Sequence, residues 1–215
     1  AEKYRTIAVV LIDGSIGQMM EPAELPPMQP LRKTKPDWAV TGAKDRERRI
    51  LSSIYIDPDE EEQLNFQLLE RWNKIEATEV RYKEYYMEGA ELVVVGFGTS
   101  GRVALSAVRA ARAEGIPVGL LRPITVSPFP YSRIQELTNL ACGMLVVEMN
   151  SGQMLKDVQA AVRGKIPVEF YGRLGGVVPL PDEILGEIRR LCYEPVAPSS
   201  NPRISWMERM GIQQD

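Results

Sequence analysis

Histidine is absent from this chain of 215 residues. The missing imidazole removes the commonest general base, the commonest zinc ligand and every Ser-His-Asp or Cys-His arrangement. Cysteine is nearly absent too: Cys142 and Cys192 stand far apart, and neither belongs to a C-x-x-C pair. That argues against an iron–sulfur cluster or a thiolate zinc site held by this chain alone, and both cysteines are expected as small core residues. No apolar run approaches the roughly 20 residues needed to cross a bilayer, and the polar start AEKYRT has no signal-peptide core, so a cytoplasmic protein without a membrane partner is expected. An excess of either charge is also missing. Lys plus Arg number 26 against 29 Asp plus Glu, a formal charge of −3, which argues against nucleic acid as a partner.

What is present suits a globular fold: 44% of residues are hydrophobic and 26% charged, enough to bury a core. Residues 7–13 (IAVVLID) read as a buried strand with no neighbour in this chain to pair with. The stretch GSIGQMMEPAELPPMQP follows, dense in Gly, Pro and Met, and reads as an N-terminal arm or docking loop. Residues 31–56 mix charges (RKTK, KDRERR) with Trp38 and ILSSIYI, which predicts a loop with one short element. A helix start is then explicit: Asp57 as N-cap, Pro58 at the first position and Glu60 at the third. Leu64, Leu68, Trp72, Ile75, Glu79, Tyr82 and Tyr86 fall on one face at steps of four and three, predicting a long linking helix of some eight turns. Such a stripe packs on its own domain or serves as a strut between domains or subunits.

From residue 90 the pattern alternates strand and helix, the mark of a parallel sheet covered on both faces. Strands are predicted at 92–96, 117–122, 144–148 and 168–171, with helices at 101–114, 131–141, 152–163 and 182–192. The fold class is α/β, a doubly wound, mostly parallel four-strand sheet. The tail from residue 194 is Pro- and Ser-rich and then weakly amphipathic, an arm laid on the body or on a partner.

The run LVVVGFGTSG at 92–101 fits the dinucleotide fingerprint, with Gly96, Gly98 and Gly101 in the three glycine places. The acid that should hold a ribose hydroxyl about 20 residues on is missing, because the second strand reads PVGLLRP. Arg122 could hold a 2′-phosphate instead, which leaves an NADP-binding protein as one alternative. Gly98, Thr99, Ser100 and Gly101 therefore stand as candidates for an anion site, with Thr99 or Ser100 as a simple N-cap as the competing reading. Gly152 and Gln153, after Glu148 and Asn150, offer a second N-terminal anion site, against the same structural alternative.

Read together, VVVGFGTSGRVALSAVRAARAEGIPVGLLRPITVSPFP resembles the C-terminal domain of the transketolase superfamily. With DGSIGQMMEP at 13–22, WAVTGAKDRERRI at 38–50, LVVEMNSGQMLKDV at 145–158 and FYGRLGGVVP at 170–179, the chain looks like the alpha subunit of the 2-oxoacid:ferredoxin oxidoreductases, of the 2-ketoisovalerate type. A beta subunit of a 2-oxoacid dehydrogenase complex shares the domain and stays open as another alternative. The resemblance implies that the complete enzyme converts a 2-oxoacid and coenzyme A to acyl-CoA and carbon dioxide, reducing ferredoxin through iron–sulfur clusters. Thiamine diphosphate would supply the electron sink.

The same resemblance divides the chain into the end of a pyrimidine-binding domain at 1–30, a linker with the long helix at 31–89, the transketolase C-terminal-like domain at 90–193 and an arm at 194–215. It implies a C-terminal, noncatalytic assembly region that binds no cofactor by itself, with thiamine diphosphate and clusters held by the rest of the complex. Expected partners are the other subunits, copies of itself, and ferredoxin and coenzyme A through the complex. Glu21 is expected as an exposed loop carboxylate and not as the thiamine-activating acid. Arg173, with Gly172, Gly175 and Gly176, forms a basic loop that could meet coenzyme A or a partner, or simply turn the chain.

Overall fold

A computed structural model describes residues 1–31, 35–194 and 201–212. The basic run at 32–34 and the tail residues 195–200 and 213–215 lie outside the described residues. The chain divides into two compact units, residues 1–19 with 74–215, and residues 20–73.

In the larger unit a five-stranded sheet has the order β1-β3-β2-β4-β5. The strands are β1 (Tyr82–Tyr85), β2 (Leu92–Val95), β3 (Val118–Pro123), β4 (Gly143–Glu148) and β5 (Val168–Gly172). All neighbours run parallel except β1, which pairs antiparallel with β3 in the register Tyr82 to Pro123. Every residue of β2 is buried, and Val94, Leu120, Leu145 and Val146 have no exposed surface. Continuous branched apolar runs therefore sit at the sheet centre because helices cover both faces. Helices α3 (Gly98–Ala113) and α6 (Pro181–Tyr193) pack together, as do α4 (Tyr131–Leu137) and α5 (Gln153–Val162).

The edge strand β1 corrects the predicted eight-turn helix. Helix α2 (Pro58–Glu79) ends at Glu79, so Tyr82 lies in a strand and Tyr86 just beyond it, at φ +56°. Its start is as expected, with Asp57 Oδ1 accepting from the N–H groups of Asp59 (2.9 Å) and Glu60 (3.2 Å). The stripe itself is mostly open: Ile75 is buried, whereas Leu68 and Trp72 are exposed. Tyrosines also suit an edge strand, and the pairing of Tyr82–Tyr85 with β3 takes them out of the helix, while Arg112 donates to the carbonyls of Val118 (2.7 Å) and Glu88 (2.9 Å) beside them.

Residues 7–13 form no strand. Residues 7–12 are exposed, with Val10 at 90%, because no described strand pairs with them. The Gly-rich loop after them contains one short helix, α1 (Gly14–Gln18). In the smaller unit, residues 20–56 carry no regular element among those described, and Met20, Leu25 and Met28 are exposed. The tail holds helix α7 (Pro202–Arg209), capped by Asn201 and laid on the body. Trp206 is buried there, edge-on to Phe170 at 5.2 Å between ring centroids, while Arg209 donates to the Phe170 carbonyl at 3.0 Å.

The cysteine expectation is corrected for Cys142, whereas Cys192 packs partly buried against the core. Cys142 is exposed and Cys192 half-buried; they line a cleft of about 530 Å³ at the amino ends of β2 and β4, where loops leave the core partly open.

Candidate functional site

The chain moves outward from β2 in both directions, to β3 on one side and to β4 on the other. In a doubly wound sheet the ligand crevice lies at that switch, beyond the carboxyl ends of the diverging strands. Here those ends are Gly96-Phe97-Gly98 after β2 and Glu148-Met149-Asn150 after β4. All six candidate anion-site residues gather at this end.

The turn after β2 is built by close approach. A Cβ placed on Gly101 would lie 2.6 Å from the Gly96 carbonyl oxygen and 3.2 Å from Arg122 Cγ, so helix and strand touch through bare backbone. Helix α3 begins at Gly98, three residues before the predicted 101, and Gly98 itself has φ +55°, which favours glycine there. Neither Thr99 nor Ser100 is the N-cap; that position is Phe97, whose side chain caps nothing, and Thr99 and Ser100 are buried in the first turn.

The cap comes from Asp13. Its Oδ2 accepts from the Thr99 N–H at 3.2 Å, and its Oδ1 accepts from the Thr99 hydroxyl at 2.9 Å and the Ile16 N–H at 2.9 Å. A Cβ on Gly98 would stand 3.2 Å from Asp13 Oδ2, so the carboxylate lies directly over the glycine turn. Burial by itself would raise the Asp13 pKa, but the hydrogen bonds from Ile16 and Thr99 outweigh it and hold the carboxyl below its usual range. An anion therefore does sit on the first turn of α3, and it belongs to the chain.

The second helix start has the same design. Asn150 Oδ1 accepts from the N–H groups of Gly152 (2.8 Å) and Gln153 (3.0 Å), and the Glu148 carboxylate accepts from Met154 and Leu155, both at 2.9 Å. Glu148 is 1% exposed. Burial pushes its pKa up, and the backbone N–H groups only partly oppose this. The α5 caps, Glu148 and Asn150, flank their glycine turn in sequence, whereas the pairing of Asp13 with Thr99 spans 86 residues and has no local signature.

Arg173 is ion-paired with Glu183, which also accepts from the Leu180 N–H (2.8 Å), so the glycine loop 172–176 is fastened to the start of α6. Glu21 is exposed. Among the described residues no group of three or more His, Cys, Asp or Glu side chains is placed to hold a metal ion. Among the described residues no helix is long and apolar enough to cross a membrane.

Residues 90–184 match the family model described as pyruvate:ferredoxin oxidoreductase core domain II. Ketoisovalerate oxidoreductase subunit VorB of Methanothermobacter marburgensis is 45% identical over 194 residues, covering 90% of this chain and 55% of the relative. The chain belongs to the 2-oxoacid:ferredoxin oxidoreductase subunit family. It spans about half the length of the curated relatives it matches. Another member, 2-oxoglutarate synthase subunit KorA of the same organism, is 30% identical, over 87% of this chain and 57% of that relative. The fold is shared with a 2-oxoglutarate:ferredoxin oxidoreductase from Magnetococcus marinus, at a TM-score of 0.54 and 19% identity, over 63% of this chain and 24% of that one. The glycine run lies within the matched residues, where helix and strand meet through Gly96 and Gly101. Its residues do not fit thiamine diphosphate, since the N–H groups that would meet a diphosphate at α3 and α5 carry the chain's own carboxylates and Asn150.

Proposed function

We propose that this chain is the C-terminal, noncatalytic assembly region of the alpha subunit of a thiamine diphosphate-dependent oxidoreductase. The complete enzyme would oxidise a branched-chain 2-oxoacid with coenzyme A and pass the electrons to ferredoxin. The observation that carries the reading is Asp13 on the α3 turn: the crevice where a doubly wound sheet ordinarily binds its ligand is filled from within. The similarity to ketoisovalerate oxidoreductase subunits supports the substrate class. On this reading residues 1–30 close the sheet of a pyrimidine-binding domain, 31–89 link it to the core domain at 90–193, and 194–215 are an arm. The exposed apolar run at 7–12 then finds its neighbours in that preceding sheet, where a strand apolar on both faces belongs. Thiamine diphosphate and the clusters reside in the remainder of the complex, in the cytoplasm, and this region works by holding the pieces together.

Two assays test it. The complete complex should reduce ferredoxin with 2-ketoisovalerate and coenzyme A. The isolated 215-residue chain should show no heat of binding with thiamine diphosphate or NADP(H), and turnover by that chain alone would overturn the assignment.

A further inference from the structure

The apolar run at 7–12 is open on all sides, with Ile7, Val9, Val10, Leu11 and Ile12 between 64% and 90% exposed, yet both its ends are fastened to the sheet unit. Upstream, Lys3 Nζ donates to Glu79 at 3.0 Å and the Tyr4 hydroxyl donates to the same carboxylate at 2.8 Å. Downstream, Asp13 alone joins two helix starts. An ordinary N-cap is the residue just before its helix and serves only that helix. Asp13 caps α1 in that local way, through Ile16, and reaches across 86 residues to cap α3 through Thr99, where the local N-cap residue offers nothing.

We propose that Asp13 is a positioning residue: a tethered anion that locks the exit of the apolar strand onto the first turn of α3, and so sets where the sheet that takes up that strand lies relative to this domain. The inference rests on the reading of residues 1–30 as the end of a cofactor-binding sheet. Geometry makes the lock specific. The carboxylate reaches Thr99 from directly above Gly98, where the Cβ of a larger residue would meet its Oδ2 at 3.2 Å, so the glycine leaves it the room it needs. A glutamate, one methylene longer, would overshoot both Ile16 and Thr99, and an asparagine would present only one acceptor oxygen.

The test has two arms. In the 215-residue chain, Asp13→Ala should speed amide exchange at Ile16 and Thr99 by about tenfold or more, while the β2 and β4 amides keep their protection. Sodium formate, but not sodium chloride at equal ionic strength, should restore protection by refilling the carboxylate's place. Unchanged exchange in the variant, or identical effects of the two salts, overturns the lock. In the complete oxidoreductase, Asp13→Ala should lower kcat by about tenfold or more with thiamine diphosphate still bound in full, because ångström-scale misplacement acts on this scale. Formate should recover part of the loss. A variant complex with unaltered kcat overturns the positioning role while leaving the functional reading intact; a wild-type complex inactive on 2-oxoacids sinks that reading and leaves the exchange arm standing.

Discussion

Replacing Gly101 by alanine should destabilise the protein, although alanine is ordinarily the better helix former by about 1 kcal/mol. The new methyl would stand 2.6 Å from the Gly96 carbonyl oxygen and 3.0 Å from its carbon, and neither can swing aside as a side-chain tip could. Relieving the contact requires α3 to move off β2 by several tenths of an ångström, against a sheet in which Val94 and Val95 have no exposed surface. Overpacking of this kind costs roughly 1–3 kcal/mol, toward the upper end when backbone is the obstacle. Set against the helix-propensity gain, the net loss is about 2 kcal/mol, or about 4–8 °C in Tm for a chain of this size. Gly186 supplies the control, since it lies within α6 with open space around its Cα. Gly186→Ala should raise Tm by about 2 °C, from propensity alone. Thermal unfolding of both variants, followed by far-ultraviolet circular dichroism, reads the two signs. Shifts in the same direction would refute the claim that Gly101 is there for close packing.

The two capping carboxylates should give opposite pH signatures. Asp13 has a lowered pKa in the fold, so its contribution is present above the unfolded value of about 3.9 and is lost as pH falls through the folded one; Asp13→Asn should flatten the acid limb of the stability curve. Glu148 has a raised pKa, so its contribution declines as pH rises from about 4.3 to the folded value and is level above it, and Glu148→Gln should remove that decline in urea titrations. At Trp206 the buried Nε1–H finds no acceptor among the described residues, so Trp206→Phe should be close to neutral in denaturant unfolding, whereas Trp206→Ala should cost about 3 kcal/mol or more. A large loss with phenylalanine would mean the indole N–H is bonded after all.

Residue types alone determined much of this protein. Continuous valine and leucine runs broken by glycine turns specify buried parallel strands joined by helices, because only such strands are apolar on both faces. The lack of histidine and the two scattered cysteines bounded the chemistry, and the segments at 119–130 and 145–158 carried the family. Tertiary structure decided the rest. Tyr82 and Tyr86 continue a helical stripe by spacing, but pairing with β3 makes the first an edge-strand residue, and the second lies in the turn whose Tyr86 and Glu88 carbonyls Arg112 holds. The run at 7–13 has the composition of a core strand and stays exposed, since a strand needs neighbours that local sequence cannot supply. What lies over the glycine turn was likewise undecidable from its own letters: it is a carboxylate 86 residues away, brought there only by the fold.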